Sequence, residues 1–348
     1  MCSSRPEPDD RWQVRKRPAF RTAIEDHNTA ESKRPSICQE RRYAAPRCAL
    51  PEARRLLPGF STMNRDLLPA TYAAALLLAT WLTAGVSGAA LASPWAQVTA
   101  PSNGPTRVIG GVANGCIAGA QTLPAEGPGY VSIRRERKRF YGHAELLRLV
   151  SDLGRSQARR GDDLLMVGDL SQARGGLMSS AHRSHQNGLD VDIWFKLAPS
   201  AVAAIRETAD QADPPSMLTQ DGEDLGPLWG DDQKALLRAA ADHPGVDRIF
   251  VNPAIKRALC RSEADSAWLR KLRPWFGHDA HFHIRLRCPD ASAECEQQAA
   301  IPAGDGCGRE LDWWFSDEAR KAAKPSGSRA EPAMPAACRP LLAATGQQ

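Results

Sequence analysis

Residues 277–286 read G-H-D-A-H-F-H-I-R-L, and from Ala280 to Arg287 apolar and polar residues alternate with the period of a β-strand. Side chains two apart on a strand share a face. Phe282, Ile284 and Leu286 therefore point into a core. His281, His283 and Arg285 point the other way, with the two imidazoles about 7 Å apart along one polar surface. About ninety residues upstream stands a second histidine group, S-A-H-R-S-H-Q-N-G-L-D-V-D-I-W-F, residues 180–195. It carries His182 and His185, an Asn187-Gly188 turn, and a second alternating run from Leu189 to Phe195 with Asp190, Asp192 and Trp194 on one face. The two groups hold five of the chain's eight histidines. Two imidazoles and one carboxylate from distant segments can bind a tetrahedral Zn²⁺ and leave one position open for water, the arrangement of a catalyst rather than a structural staple. His185 precedes the turn and can fold back toward the strand. Periodicity puts Asp190 and Asp192 on the same face and does not choose between them as the ligand; the other is an orienting group or a solvated side chain.

Working outward, the pattern predicts a helix from Ala144 to about Arg155, with Leu146, Leu147, Val150 and Leu153 at helical spacing, and a buried strand from Leu164 to Asp169. Helices follow over 201–212 and 231–242, then a strand over 246–252. Pro253 opens a helix running toward Cys260, and a further helix over 265–272 leads to Pro274. Residues 93–130, rich in Gly and Pro, read as an irregular wrap. Beyond Glu318 the Ala, Pro, Lys and Ser content reads as a loose tail that Cys338 can pin back. Hairpin-like strands without a regular β-α-β repeat predict an α+β fold around a mainly antiparallel central sheet with flanking helices.

From Met63 the chain reads M-N-R-D-L-L-P-A-T-Y-A-A-A-L-L-L-A-T-W-L-T-A-G-V-S-G-A-A-L-A-S. Arg65, an apolar stretch from Tyr72 to Val86 and a small-x-small site at Ala90-Leu91-Ala92 make this a secretory signal peptide, cleaved after Ala92. The expected organisation is an upstream, disordered and non-native extension over 1–62, the signal over 63–92, a domain over 93–318 that carries both histidine groups, and a tail over 319–348. Cleavage leaves about 255 residues, enough for one large core with a tail, and no further run long enough to span a bilayer.

Of nine cysteines, Cys2, Cys38 and Cys48 precede the signal. Cys116, Cys260, Cys288, Cys295, Cys307 and Cys338 remain, an even set with no C-x-x-C pair, as expected of a disulfide-bonded exported domain. The net charge of +5 separates partners poorly, but there is no basic helix with interleaved aromatics to argue for nucleic acid. H-E-x-x-H, S-x-x-K and G-x-S-x-G are absent, which excludes the common helical zinc-protease and serine acyl-enzyme signatures. His143-Ala144-Glu145 lacks the P-C-x-x-C of a deaminase. Metal-assisted hydrolysis is the chemistry left.

Seven runs carry a resemblance: N-G-C-I-A-G-A, F-Y-G-H, G-D-L, S-H-Q-N-G-L-D-V-D-I, R-I-F-V-N-P-A-I-K, W-L-R-K-L-R-P-W-F-G-H-D-A-H-F-H-I-R-L-R-C-P and G-D-G-C-G. Through them most of residues 108–315 resembles the penicillin-insensitive murein endopeptidases, the MepA family of bacterial metallopeptidases. The resemblance implies the fold shared by lysostaphin-type and D-Ala-D-Ala metallopeptidases. It implies Zn²⁺ held by His185, Asp192 and His283, with His182 as an additional or alternating ligand. It gives His281 and His278 the roles of handling protons and steadying the tetrahedral intermediate. Disulfides Cys116–Cys338, Cys260–Cys307 and Cys288–Cys295 follow from it too. Some relatives carry a further metal position in D-G-x-H, which reads Asp221-Gly222-Glu223-Asp224 here and makes Asp221 and Asp224 a candidate second site. The implied activity is hydrolysis of D-alanyl–meso-diaminopimelyl cross-links between peptidoglycan stem peptides, in the bacterial periplasm and insensitive to β-lactams. The alternatives are a D-Ala-D-Ala carboxypeptidase or dipeptidase with a more closed pocket, and a wall-binding module without catalysis.

Overall fold

Strand β8 (Asp190–Ala198) and strand β11 (His281–Leu286) are antiparallel neighbours at the centre of a seven-stranded sheet. The computed structural model describes residues 93–178, 183–210, 213–263, 266–322 and 332–343, all within one unit, Gly85–Gln348. Residues 1–92, with Cys2, Cys38, Cys48 and the signal and its cleavage site, lie outside the described residues, as do His182 and the segment 323–331.

Outward from β11 the sheet continues through β9 (Val246–Val251), antiparallel, to β10 (Leu272–Pro274), parallel. Outward from β8 it continues through β7 (Leu164–Val167), antiparallel, then β5 (Tyr130–Ser132), parallel, and β4 (Glu126–Gly127), antiparallel. The four central strands are thus all antiparallel, and the parallel pairs flank them. Two smaller sheets pair β1 (Arg107–Gly111) with β2 (Asn114–Ala118) and β3 (Gln121–Thr122) with β6 (Tyr141–Gly142).

One face of the central strands carries Val191, Ile193, Phe195, Phe282, Ile284 and Leu286, all buried in the main core. Each such side chain contributes about 1.5–3 kcal/mol by leaving water. Against this core pack helix α1 (Ala144–Ala158), through Leu146, Leu149, Val150 and Leu153, and helix α3 (Asp231–Asp242), through Leu236 and Leu237. Leu147, expected on the buried face of α1, is only partly covered, and Leu149 takes that place. Gly154 lets α1 approach the sheet: a Cβ there would stand 2.4 Å from the Pro128 carbonyl oxygen.

Local signals set the remaining helices. Ser200 Oγ accepts from Ala203 N (3.2 Å) at the start of α2 (Ala201–Thr208). Asn252 Oδ1 accepts from Ala254 N (2.9 Å) where Pro253 begins α4 (Pro253–Ser262). Short helices α5 (Arg309–Trp313), α6 (Asp317–Ala322) and α7 (Arg339–Ala343) follow. No helix among the described residues is long and apolar enough to cross a membrane.

Two stretches differ from expectation. Residues 93–130 are not an irregular wrap, because they contain the β1–β2 hairpin. Its two-residue connection is Val112-Ala113 and carries none of the Asn-Gly chemistry by which such turns are recognised. The helix expected over 265–272 is a 3₁₀ turn, Ala267–Lys271, that buries Trp268 and Leu269. Leu272–Pro274 instead pairs with Ile249–Val251, and Pro274 is tolerated because β10 is an edge strand.

Disulfides join Cys116–Cys338, Cys260–Cys307 and Cys288–Cys295. The first closes a sequence separation of 222 residues and docks Cys338, fully buried, against β2. Loop-closure entropy for so long a loop is worth about 5 kcal/mol. Replacing both Cys116 and Cys338 by Ser is therefore expected to lower the thermal midpoint by about 10 °C or more and to expose residues 332–343 to proteolysis. An unchanged midpoint would show that this segment is held by packing alone.

Candidate active site

The register of β8 on β11 sets Asp192 opposite His283 and Asp190 opposite Arg285. All four sit on the face of the two strands that is turned away from the main core, as period two requires. His185 arrives from the loop before β8 with its backbone in the left-handed region, φ 67°. That conformation costs a non-glycine residue on the order of 1–3 kcal/mol. It is sustained by the His185 amide, which donates to Asp190 Oδ2 (3.1 Å), and by Gln186 N, which donates to Val112 O (3.0 Å).

His185 Nε2 lies 3.4 Å from Asp192 Oδ1, and His283 Nδ1 lies 3.2 Å from the same oxygen. The two rings meet edge to face with centroids 4.6 Å apart. All three side chains are buried, with one ligand atom of each within 4.8 Å of the others; among the described residues they are the one such group of His, Cys, Asp or Glu. Bonds of about 2.0–2.1 Å to a tetrahedral centre put neighbouring ligand atoms about 3.3 Å apart. The donor set and its spacing fit a zinc-sized cation.

Asp190 organises this cluster from behind. Its Oδ1 accepts from Arg285 Nε (2.8 Å) and its Oδ2 from Arg285 Nη2 (2.9 Å), a bidentate pair, while His283 Nε2 lies 3.1 Å from Oδ2. Asp190 is fully buried, so the solvated reading left open by the strand pattern is replaced by the orienting one. Donation from His283 Nε2 to Asp190 fixes the tautomer that presents Nδ1 as a lone pair to a cation. Arg285 Nη1 also donates to Gln298 Oε1 (2.9 Å).

The charges follow from these contacts. Burial alone would raise the Asp190 carboxyl, but Arg285 and then His283 outweigh it and hold it well below the usual carboxylate range. Burial likewise opposes ionisation of Asp192, and His185 and His281 hold it well below that range too. Burial would lower His283, yet Asp190 and Asp192 push its imidazole up to about 9.

His281 opens β11 opposite Trp194 and is partly exposed. His278 stands beside it, ring centroids 5.0 Å apart, and 6.0 Å from His283. His278 Nδ1 is 3.1 Å from Phe276 O and donates to it in the neutral tautomer. Burial, reinforced by His281 and His283, pushes His278 down to about 3, so it is neutral at any pH near 7. Asp221 and Asp224 are elsewhere, in an exposed turn. Asp221 Oδ1 accepts from Thr219 Oγ1 (2.6 Å) and Glu223 N (3.0 Å), Asp224 Oδ1 accepts from Leu225 N (2.9 Å), and neither joins the buried group. Both carboxylates cap their own turn, apart from the buried cluster. Sequence reasoning placed Arg285 on the right face without assigning it a role; a cation two residues after His283, facing the same way as a strand of carboxylates, was the available signal.

A buried His–Asp–His cluster beside two further imidazoles, on the face of an antiparallel sheet, is the equipment of a hydrolase. Comparison with known proteins narrows that class. The family model described as "Penicillin-insensitive murein endopeptidase" matches residues 108–343. Proteins named penicillin-insensitive murein endopeptidase are 41% identical over 258 residues in Klebsiella pneumoniae, 42% over 259 in Yersinia enterocolitica and 40% over 270 in Salmonella heidelberg. These alignments cover 74%, 74% and 77% of this chain and 93%, 93% and 97% of the relatives. The chain belongs to the penicillin-insensitive murein endopeptidase family, and its three disulfides suit an oxidising compartment.

Proposed function

We propose that this chain is a zinc-dependent endopeptidase of the bacterial periplasm that hydrolyses the D-alanyl–meso-diaminopimelyl bond joining two peptidoglycan stem peptides. The observation that carries the reading is the spacing of His185, Asp192 and His283 around one small volume, with His281 alongside. The central antiparallel strands that bear this cluster agree with the lysostaphin and D-Ala-D-Ala metallopeptidase fold.

His185, Asp192 and His283 hold the metal. Bound zinc supplies Lewis acidity, polarising a carbonyl oxygen and lowering the pKa of a water to about 7. His281 takes the proton from the attacking water and returns it to the leaving amine. His278, kept neutral with its Nδ1–H on Phe276 O, offers the Nε2 lone pair to a proton of the attacking water or the leaving amine without adding a cation that would compete for the site. Asp190 and Arg285 keep His283 in its ligating orientation. No side chain attacks the substrate, so β-lactams, which acylate a nucleophilic serine, find nothing to modify.

Mass spectrometry of products from purified cross-linked muropeptide dimers and from monomeric pentapeptides tests this. The expected result is conversion of dimers to monomers with pentapeptides left intact. Release of terminal D-alanine from pentapeptides would instead identify a carboxypeptidase.

A further inference from the structure

Five aromatic rings run outward from the candidate site as a continuous chain of contacts. The His283 ring meets Phe250 edge on, with centroids 5.3 Å apart, and Phe250 meets Trp275 at 5.8 Å. Trp275 is followed by Trp314 at 5.9 Å, and Trp314 by Trp313 at 5.3 Å and Phe276 at 5.2 Å. The inner rings are half-buried, but Trp275 is 54% exposed and Trp313 46%. Exposed neighbouring tryptophans mark an interaction surface more often than a structural accident.

The patch is held rigidly by groups that the hydrolytic chemistry does not use. Trp275 N donates to Val251 O (2.8 Å), tying the Trp275–Phe276 turn to β9. Arg273 pairs with Glu310 on α5, and the Arg257 guanidinium stacks 3.8 Å over Phe315. The Cys260–Cys307 disulfide fastens the segment leading into α5 to α4. Beside it the fully buried Lys256 donates from Nζ to Asp305 O and Leu269 O, both at 2.6 Å. Rings fixed before a ligand arrives do not lose freedom on binding it.

We propose that Trp275 and Trp313, backed by Trp314, form a glycan-binding platform that takes the pyranose faces of the N-acetyl amino sugars of the same polymer whose peptide cross-link the site cuts. The proposal rests on the murein reading of the site. The negative face of an aromatic ring attracts the axial C–H bonds that project from the face of a sugar ring. Trp275 and Trp313 lie 54° and 83° from the plane of Trp314, so the patch presents faces at several inclinations, as a twisted sugar chain requires. The charges around it offset one another, Glu310 pairing with Arg273 and Asp317 with Arg320, so the patch offers no cationic cluster to an anionic membrane surface and leaves a neutral sugar acceptable. The reach is also right. Two ring steps of 5.3 Å and 5.8 Å separate His283 from Trp275, and a three-residue peptide spans about 10 Å. A stem peptide with its bond at the site can set its sugar on the platform.

The experiment compares the wild type with a Trp275→Ala, Trp313→Ala variant and a Trp275→Phe, Trp313→Phe variant. Binding of soluble N-acetylglucosamine oligomers is followed by intrinsic fluorescence and calorimetry. Hydrolysis is followed on glycan-bearing cross-linked fragments and on the same cross-linked peptides with the sugars removed. Saturable oligomer binding is expected in the wild type and in the Phe variant, and its loss in the Ala variant. Turnover of the glycan-bearing substrate is expected to fall about 10-fold in the Ala variant, with the sugar-free peptide cut at the wild-type rate. No oligomer binding by the wild type, or binding retained by the Ala variant, overturns the platform. An equal loss on both substrates while the Phe variant keeps full activity also overturns it, because the rings would then shape the peptide site. If no form of the protein cuts either substrate but oligomer binding is lost as described, the hydrolytic reading fails and the platform stands.

Discussion

Chelation is expected to abolish hydrolysis of cross-linked muropeptides, and His283→Ala is expected to lower kcat on the order of 10³-fold or more. The figure follows from the several kcal/mol of charge stabilisation that a metal contributes at a developing oxyanion, each 1.36 kcal/mol being about a tenfold change in rate. His283 is the most exposed to this test because it belongs to both layers of the site, with Nδ1 toward Asp192 and Nε2 toward Asp190. Proton and metal compete for it. With its pKa raised to about 9 by Asp190 and Asp192 against the pull of burial, the metal-free imidazole is protonated below that pH, and zinc must displace the proton. Apparent zinc affinity is then expected to weaken about tenfold for each pH unit below 9. Titrating the apoprotein with zinc at several pH values, with proton release measured by calorimetry, checks the sign. Activity that survives exhaustive chelation, or affinity that does not depend on pH, would remove the metal from the mechanism.

The core-facing period of β8 and β11 was plain in the sequence because Val191, Ile193, Phe195, Phe282, Ile284 and Leu286 alternate without a break. Helix α3 was equally legible, since Leu236, Leu237, Ala240 and Ala241 recur on one buried face. What the alternation could not convey is that the opposite face is buried too. A strand pattern records polarity and carries no information about the pairing of one charge with another. Asp190 and Arg285 are both polar letters, and only the register that sets them opposite each other, 95 positions apart in the chain, turns two solvated residues into one buried ion pair. The same limit explains β1 and β2. Their strands are five residues each and rich in glycine, and they are held by a turn without turn chemistry and by contacts to Gln186, Arg174 and Cys338 that come from far along the chain. His185 is a third case. Its position beside Asp192 depends on a left-handed backbone that a histidine rarely adopts, and the amide of that residue is secured by Asp190, so one unpaired-looking carboxylate fixes both imidazoles of the cluster.

Asp190→Asn should therefore be costly in two separable ways. The amide keeps the shape of the carboxylate but brings an NH₂ group to a pocket lined by donors: Arg285 Nε and Nη2, His283 Nε2 and the His185 amide. It also leaves the Arg285 guanidinium, 5% exposed, without its counter-charge. Breaking a buried pair from one side costs about 3–5 kcal/mol. For a domain of this size that corresponds to a fall in thermal midpoint of about 10 °C. Zinc affinity is expected to fall about 10–100-fold as well, because His283 loses the acceptor that fixes its tautomer and ring orientation. A second variant separates the two effects. Asp190→Asn combined with Arg285→Met removes the stranded cation, so much of the lost stability is expected to return, while His283 Nε2 still lacks its carboxylate and zinc affinity remains low. If both properties recover together, the role of Asp190 is structural only. If Asp190→Asn alone leaves stability and zinc affinity at the wild-type level, the buried network does not support the site. Recovery of stability without recovery of metal binding is the result the geometry requires, because the carboxylate reaches Arg285 through both of its oxygens but reaches His283 through Oδ2 alone.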